Sequence, residues 1–203
     1  MVTNTLTVLQ RENARLQAEN EALTAELRQL REFVDILVEV AAAEEALTAD
    51  STLLPALQRM FDRLLDLLRA PEGSLLLLDE DAGELQFVLV RGSLAEHLRG
   101  YRIPANEGIA GWVISHAAPA LVRDVRRDAR FSETIDDAFK FRTQSIAAAP
   151  LVGGGRVLGV LEALNQPVDE PFSDMDVTLL GLACRFAGEA LVNAERAQPT
   201  GRA

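Results

Sequence analysis

The residues able to do chemistry in this chain are few and scattered. There is one cysteine, Cys184, and there are two histidines, His97 and His116. One thiol supplies neither an internal disulfide nor the nucleophile and resolving partner that thiol redox chemistry requires. The histidines lie at no spacing that suggests zinc. No nucleophile–base pair and no pair of catalytic carboxylates can be read from the sequence, so a non-enzymatic protein is expected. The densest charge lies in LVRDVRRDARF, residues 121–131, which could hold a phosphate, a nucleic acid or another anion. Extended to residue 137, however, the segment sets Arg123, Arg126, Arg127 and Arg130 against Asp124, Asp128, Glu133, Asp136 and Asp137. It is therefore expected to neutralise itself, with Asp124 and Asp128 bonding loop amides and neighbouring arginines. Arg123 and Arg130 are the candidates to reach an anionic ligand. Gly153, Gly154 and Gly155 could suggest a phosphate cradle, but no Lys-Ser/Thr follows and the chain runs into a strand, so a turn is expected.

Whole-chain composition narrows the classes further. The chain has 203 residues, 31 acidic and 20 basic side chains, and a formal net charge of −11, which opposes general binding to nucleic acid. No leader and no apolar run near the ~20 residues of a membrane span is found, so a cytoplasmic protein without membrane association is expected. Abundant alanine, leucine and arginine beside a single lysine suggest a GC-rich bacterial source.

Three regions must position these residues: a coiled-coil helix over 1–50, a globular domain over 51–197 and a flexible tail over 198–203. Residues 6–41 keep one heptad register, with Leu6, Asn13, Asn20, Leu27, Val34 and Ala41 at a and Leu9, Leu16, Leu23, Leu30 and Leu37 at d. This stripe predicts a parallel homodimer, in which Asn13 and Asn20 pair across the seam and disfavour slipped or higher assemblies. A leucine-zipper transcription factor is excluded, because only MVTNT stands where a basic helix would be needed. From Phe33 to Val40 the apolar stripe widens, which predicts docking on the globular domain.

In that domain a helix capped by Ser51 or Thr52 is predicted through LLPALQRMFDRLLDLLRA. Two hairpins follow: SLLLLDE and ELQFVLVRG about Asp81, Ala82 and Gly83, and later TQSIAAAPLV and RVLGVLEALN about the three glycines. FSDMDV announces the last helix, to about Ala194. Ser173 suits its N-cap, Asp176 the N3 position, and Phe172 and Val177 the staple positions. The order predicts an α+β domain, an antiparallel sheet with helices packed on its face.

GSLLLLDEDAGEL, PANEGIAGWVISHAAPALVRDVRRDARF, SIAAAPLVGGGRVLGVLEALN and PFSDMD, in this order, resemble a GAF domain, a PAS-like small-molecule sensory module. The resemblance covers about residues 51–195. It implies a common ligand pocket whose outer wall is residues 123–141, so that Ile135, Ala138 and Phe139 would point inward. Trp112, beside Ile109 and Val113, and the small Ala147 and Ala149 are further pocket candidates, although a helix could equally fill the space at the two alanines.

Cyclic-nucleotide-binding relatives resemble one another in an Asn-Lys, Phe, Asp-Glu pattern. Here Asn165, Phe172 and Asp176 match, but Gln166 and Val177 depart. Cys184 falls inside the last helix, which argues against covalent bilin, and the lone thiol argues against reduction of methionine sulfoxide. His116 and His97 read as capping or surface residues rather than haem ligands. The expected function is a homodimeric sensor with no assigned cofactor, binding an unknown small molecule and relaying it to a separate output protein. The alternatives are a ligand-free scaffold with a filled pocket, and a cyclic-nucleotide or haem sensor.

Overall fold

The structure, a computed structural model, describes residues 2–45 and 53–197. The proposed caps Ser51 and Thr52 and the 198–203 tail lie outside the described residues. The chain divides into two compact units, Met1–Asp35 and Ile36–Ala203, and the boundary falls inside one continuous helix, α1 (Val2–Glu45).

In the first unit the absence of glycine and proline lets the helix run unbroken. Its heptad leucines are wet: Leu9, Leu16, Leu23, Leu27 and Leu30 are exposed, as are Val34, Asn13 and Asn20. Arg15 bridges Glu12 and Glu19 along the flank of this stripe.

The second unit begins with the end of α1, where Ile36 and Val40 are buried and Leu37 is half-buried. Glu39 there pairs with Arg63 of α2 (Leu54–Leu67), at 2.7 Å. Pro55 sits in the first turn of α2, the place where its missing N–H costs nothing. A buried stripe through Leu57, Phe61, Leu64 and Leu65 faces the sheet.

Six antiparallel strands form that sheet in the order β3-β2-β1-β6-β5-β4. They are β1 (Glu72–Asp79), β2 (Glu84–Arg91), β3 (Arg102–Pro104), β4 (Ala120–Val122), β5 (Ile146–Gly153) and β6 (Arg156–Leu164). Both predicted hairpins form. Gly154 and Gly155 have φ of +57° and +78°, the double left-handed conformation of a tight two-residue turn that other residues resist.

Alternation along the strands then sorts side chains between two layers. Leu76, Ile146, Ala148 and Val160 share one core with Ile109 and Val113 of α4 (Gly108–His116). The short α3 (Ala95–Leu98) and α5 (Thr134–Phe139) cover the same face. On the reverse face lies α6 (Asp174–Ala197), which runs along β5. Its start is the predicted capping box: the Ser173 hydroxyl accepts from the Asp176 N–H at 3.2 Å, and Asp176 accepts from the Ser173 N–H at 2.8 Å. Phe172, at the staple position, is fully buried. The helix ends at Ala197, slightly beyond the predicted Ala194.

Candidate functional site

Between the sheet and its α4–α5 cover lies a cavity of about 100 Å³. That is room for a few waters or a small organic molecule, since a ~150 Å³ cavity holds benzene. Its walls are mainly apolar, including Phe87, Leu98, Ile109, Phe131, Phe141 and Ile146. Into this apolar space the sheet delivers two polar residues side by side, Ser74 of β1 and its cross-strand partner Glu162 of β6. The Ser74 hydroxyl donates to Glu162 Oε2 at 3.2 Å. Burial pushes the Glu162 carboxyl up to about 7, and the serine bond only partly opposes it.

The remaining charged lining is tied down. Glu72 accepts from the Ser93 hydroxyl and from Asn165 Nδ2, both at 2.8 Å. Arg91 points its guanidinium at Asp66, 2.5 Å away, and at the Asp62 carbonyl, 2.8 Å away. Glu107 accepts from the hydroxyls of Ser132 and Thr134, which hold its carboxyl below the usual range. Asp136, a buried residue of α5, accepts from the Thr143 hydroxyl at 2.7 Å, from the Thr143 N–H, and from Arg126 at 2.5 Å. This last cluster fastens the outer wall back onto the entry to β5. Replacing Asp136 with alanine leaves two Thr143 donors without their acceptor and Arg126 with Glu133 alone. The expected loss is about 2 kcal/mol of stability, measured by chemical denaturation, with faster amide exchange confined to residues 124–143.

The arginine segment behaves as its charge balance predicts. Asp124 accepts from the Arg126 N–H at 3.1 Å, capping a short 3₁₀ turn over Val125–Arg127. Asp128 accepts from the Arg130 N–H and from its guanidinium at 2.9 and 2.6 Å, and this fork holds the Asp128 carboxyl down at about 2. Arg126 also pairs with Glu133.

Of the seven residues proposed for the pocket, the structure brings only Ile135 to the cavity wall. Arg123 instead donates to the Phe172 carbonyl at 3.1 Å, tying the segment to the start of α6. Arg130 stacks its guanidinium 4.5 Å above the Trp112 ring, and His116 stacks on the same ring at 4.4 Å, so Trp112 is half-buried between two polar groups and off the cavity. Phe139 packs edge-on against Tyr101 at 5.5 Å, and Ala138 is exposed rather than inward. Ala147 and Ala149 lie on the reverse face, where α6 fills the space. Cys184 lies there too, its thiol donating to the Ala149 carbonyl at 3.6 Å and pushed by burial up to about 12, which leaves it unreactive. His116 contacts the Trp112 carbonyl at 2.9 Å as a helix-ending residue.

The pattern of Asn165, Phe172 and Asp176 is structural. Asn165 joins Glu72 to the Arg142 carbonyl and the Gln144 N–H, Phe172 is core and Asp176 is a cap. Sequence reasoning missed Ser74 and Glu162. The signal available was a lone acid inside the apolar run VLGVLEAL, where the neighbouring pattern offers no solvent face. Among the described residues no helix is long and apolar enough to cross a membrane, and no group of three histidine, cysteine or acidic side chains is placed to hold a metal.

One consequence of Glu162 can be measured directly. Its folded-state carboxyl titrates above the ordinary value of 4.5, so the native protein keeps a proton that the unfolded chain releases. Stability is therefore expected to fall as pH rises from about 4.5 to about 7 and to level off above. Glu162→Gln should remove that slope and stabilise the protein by roughly 2 kcal/mol near pH 8, a figure that allows for screening by cavity water. Denaturation midpoints of both proteins across this range, showing parallel curves, would refute the buried-carboxyl reading.

Comparison with known proteins adds the following. A family model described as "GAF domain" matches residues 52–191. The chain is 31% identical over 96 residues to the dual 3′,5′-cyclic-AMP and -GMP phosphodiesterase 11A of Takifugu rubripes, which covers 46% of this chain and 11% of that protein. It is 30% identical over 155 residues to the cone cGMP-specific 3′,5′-cyclic phosphodiesterase subunit alpha′ of Bos taurus, covering 71% of this chain and 17% of that protein. The chain thus spans only a small part of these relatives. Among solved structures, the GAF domain from a phosphoenolpyruvate-protein phosphotransferase of Coxiella burnetii superposes with a TM-score of 0.69 at 19% identity, covering 82% of this chain and 96% of that one. Free methionine-R-sulfoxide reductase from Neisseria meningitidis, in complex with its substrate, superposes with a TM-score of 0.64 at 20% identity, covering 81% and 91%. These two likenesses are ones of fold.

Proposed function

From the premise that this chain belongs to the GAF domain family, we propose that it is a non-enzymatic sensor, dimeric through its N-terminal helix, that binds a small molecule between sheet and outer wall. The observation that supports this reading best is the cavity itself, which is mainly apolar, walled by a fastened segment, and supplied from a central strand with the Glu162 carboxyl, served by a single serine. A carboxylate kept in an apolar space at a cost to stability is expected where a ligand makes use of it.

Binding would act on the segment held by Asp136 and by Arg123, and the Arg123 bond leads to the start of α6. Ligand occupancy would favour one packing of α6 and the sheet over another, since packed helices tend to adopt discrete arrangements. A partner protein would then read the coiled coil or the paired domains. The cavity suits a cyclic nucleotide poorly, being small and lined by carboxylates. The rival reading, a scaffold module that senses nothing, draws on the same small volume.

Native mass spectrometry of the freshly purified protein decides between them. A dimer carrying a retained small-molecule mass is the expected spectrum. Bare dimers that also fail to bind added probes would favour the scaffold, and bare monomers would remove the coiled coil from the scheme.

A further inference from the structure

The cavity's charge says what class of molecule it suits. Glu72, Glu107, Asp136 and Glu162 line it, and among the described residues Arg91 is the one cation in its wall, while Arg126 reaches Asp136 from outside it. That arginine is committed to Asp66 and the Asp62 carbonyl. Glu72 and Asp136 have both oxygens engaged by donors from the fold, and Glu107, half-buried at the start of α4, holds two hydroxyls on Oε1 that keep its carboxyl below the usual range. Glu162 differs: it stands on a central strand of the sheet, it lines the cavity, and among the described residues Ser74 is its one side-chain donor, engaging Oε2 alone. An anionic ligand entering here would meet four carboxylates and no free cation. A neutral ligand could donate to Glu162 but would leave its charge uncompensated in an apolar space, which is costly.

Resting on the sensor reading above, we infer that the cavity takes a small organic monocation, an alkylammonium group on a short branched apolar body, with its N–H donors directed at Glu162 and the Ser74 hydroxyl. The apolar body lies against Ile109, Ile135 and Ile146. The ammonium end would complete the donor set of Glu162 and supply the counter-charge that the fold withholds. It would also bring the carboxyl back toward its ordinary range, because an opposite charge close by favours the ionised form.

The test uses the full chain and three probes of one shape: 3-methylbutylamine, which is cationic, 3-methylbutanol, which is neutral, and 3-methylbutanoate, which is anionic. Amide chemical shifts of Ser74, Thr143 and Glu162 are followed in each titration near pH 8, where Glu162 is largely ionised and an alkylamine still protonated. The amine is expected to bind at least about tenfold more tightly than the alcohol, with the carboxylate weakest. Lowering the pH to about 6 should weaken the amine several-fold by protonating Glu162, while Glu72, Arg91, Glu107 and Asp136 keep their fold partners. Glu162→Gln, which keeps size and shape, should bring amine and alcohol within about twofold of each other. The comparison of probes on the unaltered chain does not depend on that variant folding. Alcohol or carboxylate binding as tightly as the amine would overturn the charge assignment and leave the sensor reading standing. No response to any of the three would remove both.

Discussion

Chains carrying Leu23→Asn and Leu30→Asn are expected to sediment as monomers at concentrations where the proposed coiled coil holds the unaltered protein as a dimer. Leu23 and Leu30 lie at consecutive d positions and are 54% and 37% exposed in the single chain, so each has a large apolar area available to a partner helix. Burying such a leucine contributes roughly 2 kcal/mol, and a two-fold seam contains every position twice. Four asparagines in place of four leucines thus remove about 8 kcal/mol, which weakens association by around five to six powers of ten. The helix itself is only slightly disfavoured, so the globular unit should keep its thermal transition and cavity. Sedimentation velocity on both proteins checks this, and a variant that stays dimeric would place the interface elsewhere.

The second large effect concerns glycines of α6 with opposite roles. A Cβ at Gly188 would lie 2.2 Å from the Val152 carbonyl oxygen and 3.0 Å from the Gly153 nitrogen, both backbone atoms that no rotamer change can clear. A Cβ at Gly153 would in turn meet the Gly188 oxygen at 2.1 Å. Helix and strand touch at bare backbone here, and the neighbouring Ala183, Ala187, Ala147 and Ala149 continue the close approach. Gly188→Ala must push α6 off β5 and open this seam, at a cost of about 3 kcal/mol or more. At Gly181, two turns earlier, a Cβ would meet nothing within 4 Å. Gly181→Ala should therefore stabilise the protein by roughly 0.5–1 kcal/mol, because alanine loses less backbone entropy in a helix. Urea denaturation of the two single variants should give shifts of opposite sign. Equal shifts would show that helix propensity alone governs both sites.

What the sequence made legible was what neighbouring residues decide. The FSDMD cap, the glycine turn and the helix under the heptad stripe are each written within a few positions; the cap and the turn form where read, and the stripe lies on one continuous helix. The self-neutralising arginines belong here too, since Asp124 and Asp128 hold amides two residues on. β3 and β4 were not legible, because three residues carry no period and exist only through pairing with β2 and β5. The lining of the cavity was not legible for a related reason. β5 is buried on both faces, so alternation cannot say which alanines look toward α6 and which toward α4. Once register sets Ala148 opposite Glu162, the carboxylate rather than Ala147 or Ala149 faces the cavity.

The strand order also has a consequence in time. The two hairpins are local, but the central β1–β6 pairing joins residues such as Ser74 and Glu162, which are 88 positions apart. During synthesis from the N-terminus, β1 and β2 emerge with one edge of β1 unpaired, and its proper neighbour comes last. At about 5–20 residues per second the wait is roughly 4–18 s, long compared with hairpin formation. Through that interval the SLLLL run of β1 is an open apolar edge of the kind that recruits other chains. Yield on expression is thus expected to depend on how fast the ribosome delivers β6, a demand that the finished fold no longer displays.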